Sequence, residues 1–116
     1  MVSPTPQQRV LHMREAIRLI EGFIQNMDLP TFEGDARTQS AVLFQFLIIG
    51  EAARHLDPQM LQRYPYPWHL VRAFRNFIAH EYHAIKLERV YLAAQDLQPL
   101  DDMLQRIIKT EFPNQP

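Results

Sequence analysis

An all-α fold, an antiparallel helical bundle of four main helices plus a short helix, is predicted by three features of the sequence. Near the start, Val10, Met13, Ile17, Ile20, Ile24 and Met27 recur at alternating spacings of three and four, which is one face of a helix. The run from Ala41 to Ala53 is apolar nearly all round, as suits a central helix covered on two sides or by a partner chain. No stretch alternates apolar and polar residues like a half-buried strand, and neither a glycine-rich phosphate loop nor an internal repeat is present.

The first helix starts at Thr5, a suitable N-cap followed by Pro6 at the first helical position. Leu11, Leu19 and Phe23 widen its apolar stripe, and "DLP" at 28–30 ends it, because Pro30 biases Leu29 away from helical angles. A second helix, capped by Asp35, runs to about Leu56, and Gly50 within it marks a close helix approach. Asp57 and Pro58 open a short helix that "YPYP" at 64–67 stops. A further helix begins near Pro67 or Trp68. The final helix spans about Leu87 to Lys109, with a kink or break expected near Pro99. Residues 1–116 read as one domain, with 1–4 and 111–116 as frayed tails.

Composition narrows the function classes. Apolar residues make up 47% and charged residues 22%, values of a folded globular chain rather than a disordered or fibrous one. There is no cysteine, so disulfides, thiol nucleophiles and cysteine zinc sites are excluded, and a reducing compartment fits. No signal peptide is visible at the start, and "AVLFQFLIIG" is about half the length of a bilayer span. A cytoplasmic protein without membrane association is expected. The net charge of −1 argues against a generally basic nucleic-acid surface. Locally the balance differs: between Arg54 and Arg89 there are six Arg or Lys against three acids, with four of the five histidines.

The densest cluster of functional groups is "RNFIAHEY", residues 75–82. On an ideal helix Arg75 and His80 stand about 140° apart. His80 shares a stripe with Arg72, Asn76 and His83, whereas Arg75 aligns with Ala79 and Tyr82. Polar groups thus cover a broad arc, although Phe74, Phe77 and Ile78 still need a buried surface. That arc suits the edge of a groove where two copies meet. It suits equally a helix on which Arg75 pairs with an acid, His80 caps or hydrogen-bonds and Tyr82 packs. Metal ligation fits neither "HEYH" nor the pair Glu51 and His55, whose spacings differ from zinc-protease and di-iron patterns. Ser3 and Ser40 lie in no nucleophile elbow. Neither a metal nor an organic cofactor is expected.

The set Arg75, Asn76, His80 and Tyr82, as Arg-Asn-x-x-x-His-x-Tyr, resembles the signature of the HEPN superfamily, specifically its HepT-like toxins. Ile49, Gly50, Glu51 and Ala52 are similar to the family's Ile-Gly-Glu-Ala helix end, and Pro67-Trp68 precedes the arginine at the usual distance. The likeness covers about residues 35–110. Two positions depart from it: "PYPW" has one residue between its prolines where two are common, and Lys86 replaces an acid that would cap the last helix.

The resemblance implies a metal-independent endoribonuclease that acts as a homodimer, is toxic to its host and is neutralised by a nucleotidyltransferase-fold antitoxin. The residues present suit that chemistry. His80 can move protons near neutral pH, and the fork of Arg75 matches phosphate oxygens. One histidine per chain serves two proton transfers poorly; two facing motif helices bring two His80 and two Arg75 into one groove. Asn76 is expected to hold His80 or a phosphate, and Glu51 to orient Arg75. Tyr82 would stack on a base or, by resemblance, accept AMP from the antitoxin. Arg72 and His83 would extend the RNA track, and Trp68 reads as core or interface packing. Two other readings stay open at this level, a non-catalytic partner of a nucleotidyltransferase and a helical dimer without a ligand.

Overall fold

The structure is a computed structural model in which residues 2–113 are described; Met1 and residues 114–116, part of the expected tails, lie outside them. Seven α-helices follow one another: α1 (Pro6–Phe23), α2 (Leu29–Glu33), α3 (Ala36–Arg54), α4 (Pro58–Leu61), α5 (Trp68–Glu81), α6 (Leu87–Gln95) and α7 (Gln98–Glu111). A 3₁₀ turn, Tyr82–Ala84, follows α5 directly. The described residues contain no strand, and the all-α class stands.

α1 begins with a full capping box: the Gln8 amide N–H donates 3.1 Å to the Thr5 hydroxyl, and the Thr5 N–H donates 2.9 Å to the Gln8 side chain. Its periodic face is the core face, since Val10, Met13, Ile17 and Ile20 are buried. Burial of each such side chain contributes about 1.5–3 kcal/mol. α3 is the central element, packed by α1 and by α5. α6 and α7 close the core with Val90, Ala94, Leu104 and Ile107. No polar or charged residue is buried among the described residues.

The helix count differs from the expectation at two places, both involving proline. α1 stops at Phe23, and Asn26 takes a left-handed φ of 61°, a conformation asparagine tolerates better than most residues. Asp28 then accepts the Thr31 N–H at 2.9 Å and caps α2, with Pro30 inside the first turn. Pro30 therefore opens a helix rather than closing one, because a first-turn residue needs no N–H partner. The same rule produces the break expected near Pro99 and makes two helices of the last one. Pro99 sits in the first turn of α7, and the break falls just before it, at Asp96 and the buried Leu97.

The expected tail is also shorter on its inner side. Glu111 ends α7 and accepts hydrogen bonds of 2.7 Å from both the Tyr64 hydroxyl and the Arg63 guanidinium. That contact fastens the segment between α4 and α5 to the end of the chain. At the opposite side, the Tyr91 hydroxyl donates 2.6 Å to the Met27 carbonyl, and Arg14 pairs with Asp101 at 2.9 Å.

Candidate active site

The site is built on α5, and α5 is built on α3. Trp68 anchors its start: the ring is buried and its indole N–H donates 3.1 Å to the Tyr64 carbonyl. Ile78 is the other buried residue of the helix, and Phe74 meets Phe46 of α3 edge to face at 4.9 Å. Between these contacts α5 crosses α3 with almost no room. A Cβ placed on Gly50 would stand 2.1 Å from the Cβ of Arg75 and 2.6 Å from its Cγ. Glycine at 50 is what lets the backbone of α3 come this close to Arg75.

The approach puts Arg75 beside Glu51. One guanidinium nitrogen lies 3.3 Å from a Glu51 carboxylate oxygen, and the other terminal nitrogen donates 3.2 Å to the Asn76 side-chain oxygen. Arg75 Nε is buried without a hydrogen-bond partner. Glu51 is itself shared. Arg54 donates to it at 2.7 Å, and His55 Nε2 lies 3.1 Å away. Hydrogen bonding by Arg54, then by His55, with the charges of Arg54 and Arg75 added, holds the Glu51 carboxyl down to about 2. It is a carboxylate throughout the physiological range, and Arg75 is oriented by a permanent negative charge.

His80 stands apart from this network. It is exposed and makes no hydrogen bond or ion pair among the described residues. Among the described residues no hydrogen bond joins Asn76 to His80; the Asn76 side-chain oxygen accepts from Arg75. Tyr82 leaves the helix: α5 ends at Glu81, and Tyr82 opens the 3₁₀ turn, 71% exposed, with its ring edge-on to His83 at 6.0 Å. His83 faces Glu81 at 3.7 Å. Arg72 is half-buried on the side of α5 that borders the α4–α5 segment. The structure thus joins Arg75, Asn76 and Glu51, and leaves His80 and Tyr82 presented to solvent. Arg54 and His55 are members that the sequence reading lacks. Their positions three and four after Glu51 in "GEAARH" are the signal that was available.

Several apolar groups on this side lack cover. Leu70 and Phe77 on α5 are 56% and 44% exposed, as are Phe44 on α3 and Leu92 on α6 at more than half. A groove of about 470 Å³ runs past Leu70, Val71 and Phe74 to Leu92 and Leu97. No described helix is long and apolar enough to cross a membrane.

A family model described as ribonuclease HepT-like matches residues 13–107. The chain belongs to that family. Among curated relatives, a candidate RNase of Methanocaldococcus jannaschii is 30% identical over 97 residues, covering 82% of this chain and 80% of the relative. A probable ribonuclease HepT of Thermococcus cleftensis is 28% identical over 97 residues, covering 82% and 88%. No solved structure matches significantly. Membership of the HepT-like ribonucleases supports an RNase function on RNA.

Proposed function

We infer that this HepT-like protein is a metal-independent endoribonuclease whose active site is completed by a second copy of the chain. The observation that carries the reading is the contrast on α5. Arg75 is fixed at the α3–α5 crossing by Gly50, Glu51 and Asn76, while His80, five residues on, is exposed and free of internal partners among the described residues. A fixed cation and an unengaged imidazole are the two groups that metal-free transesterification needs. One imidazole takes the proton of the 2′-hydroxyl as its oxygen attacks phosphorus. The bond to the 5′-oxygen breaks, and an imidazolium returns a proton to that leaving oxygen. Arg75 stabilises the charge that gathers on the phosphorane oxygens.

Two proton transfers call for two imidazoles, and the surface of α5 supports a homodimer. Leu70, Ala73, Phe77 and His80 follow at heptad-like intervals on its exposed side, a seam on which a second α5 can pack. Pairing across it would cover Leu70 and Phe77 and bring two His80 side chains into one groove. Arg72 and His83 flank that groove as RNA contacts. The exposed Tyr82 suits either base stacking or covalent adenylylation by a nucleotidyltransferase-fold antitoxin, the neutralising partner that family resemblance implies for a cytoplasmic toxin. An added AMP would block the groove by size and by negative charge.

The test is to incubate total RNA with the protein, and with its His80→Ala form, in EDTA and to analyse the new ends. Discrete fragments with 2′,3′-cyclic phosphate ends are expected from the unaltered protein. The variant should lose about 10²–10⁴ of the rate while keeping its helical circular dichroism. Equal cleavage by the variant would remove His80 from the mechanism.

A further inference from the structure

A second concavity lies where the α4–α5 segment meets the start of α5. Its volume is about 360 Å³, within the range of small-ligand sites, and Gln62, Tyr66, Trp68, His69 and Arg72 line it. The Tyr66 and Trp68 rings are 5.1 Å apart and tilted by 51°; Trp68 is buried, so it backs the half-buried Tyr66, the ring with a face left open to the cleft. Above it are an exposed imidazole and a half-buried guanidinium. Neither His69 nor Arg72 is engaged in a hydrogen bond or ion pair among the described residues, and no acidic residue lines the cleft.

The cleft also has a defined relation to the catalytic helix. Arg72, Asn76 and His80 are spaced by four along α5, so they descend one side of it, about 12 Å from first to last. A single-stranded chain whose scissile phosphate sits at His80 and which follows that stripe reaches the cleft within a few nucleotides.

We propose that this cleft is a nucleotide subsite of the enzyme: an unpaired base of the RNA lies against Tyr66, which Trp68 backs from the core, and its phosphate meets Arg72 and His69. The assignment rests on the ribonuclease reading and adds to it a place where substrate is gripped away from the scissile bond. Base-on-aromatic stacking is sequence-tolerant, so the subsite favours unpaired RNA over a duplex more than one base over another.

Trp68 is the only tryptophan in the chain, and it reports directly on the cleft. Short single-stranded oligoadenylate and oligouridylate would be titrated into the uncleaving His80→Ala protein while Trp68 fluorescence is followed. The same titration would be made in proteins that also carry His69→Ala with Arg72→Gln, both at positions with solvent access. Cleavage of oligonucleotides of increasing length by the unaltered protein is measured in parallel. Saturable quenching is expected, with binding weakened about tenfold by the double change and a gain in kcat/KM as substrate becomes long enough to reach the cleft. RNA cleavage that persists without quenching, or with no effect of the double change on binding, overturns the subsite, leaves the ribonuclease reading intact and turns the cleft over to a polypeptide partner. A protein that neither binds nor cuts RNA overturns both.

Discussion

Replacing Gly50 by alanine inverts a familiar effect and thereby tests the α3–α5 crossing. In a helix interior, alanine is ordinarily better than glycine by about 1 kcal/mol. Here the new methyl would stand 2.1 Å from Arg75 Cβ, far inside the optimal separation of about 3.5–4.0 Å between carbons. The nearest atoms are the Cβ, Cγ and Cα of Arg75, not the far end of its flexible side chain, so relief requires α5 itself to move by more than about 1 Å. Overpacking of this kind costs about 1–3 kcal/mol. Taking the upper end and subtracting the propensity gain leaves a net loss of about 2 kcal/mol, or a fall in Tm of roughly 8 °C for a domain of this size. The displacement carries Arg75 with it, and a misplacement of about 1 Å lowers a catalytic rate by about 10²-fold. Gly22, near the end of α1, has nothing within 4 Å of where an alanine methyl would stand and serves as the control. Gly22→Ala should raise the Tm slightly and leave RNA cleavage alone. Thermal melting by circular dichroism and cleavage of a short RNA would decide. A Gly50→Ala protein that melts no lower than the unaltered one and cuts RNA at full rate would refute the close approach of the two helices.

Three other perturbations separate the parts of the site. Glu51→Gln removes a carboxylate whose folded pKa is lowered to about 2 from 4.5, so its contribution to stability is complete above about pH 4.5 and fades as pH falls toward 2. Because Glu51 is 40% exposed, screening keeps that contribution to about 1 kcal/mol or less, and the Tm difference from the unaltered protein should shrink over that window; a constant difference would mean the charge is not its source. Phe77→Asp should convert a dimer to a folded monomer in sedimentation and abolish cleavage, whereas a monomer that still cuts RNA would exclude a composite site. Tyr82→Phe should keep cleavage and remain unmodified, by mass spectrometry, after exposure to a nucleotidyltransferase and ATP; complete adenylylation of that protein would place the acceptor elsewhere.

Local physics made much of the fold legible. Thr5 with Pro6, and Val10 through Ile20, are near-neighbour patterns, and the helix they predict is present with its buried face; the structure adds Gln8 as the other half of a capping box. The break expected near Pro99 is present, whereas Pro30, read only as the end of the first helix, lies in the first turn of a new one, because Asp28 finds the geometry to cap it. Tyr82 shows the same limit at a helix end, since nothing in "HEYH" announces that the backbone tightens after Glu81. At the site, Gly50 is readable as a close approach, but not that Arg75 is the residue approached, because that contact joins two helices. The fan of Arg54, His55 and Arg75 around Glu51 required the tertiary placement of α5 for its last member alone.

The bond from Tyr64 to Glu111 has a mechanical consequence. Glu111 holds the Tyr64 hydroxyl, and the Tyr64 carbonyl holds the Trp68 indole, so a pull on the end of α7 is delivered to the first residue of α5 through two hydrogen bonds. The capping box at Thr5, by contrast, bonds only within its own helix, so the start of α1 has no such polar link to α5. Cargo attached beyond Glu111 would tug on the anchor of the working helix.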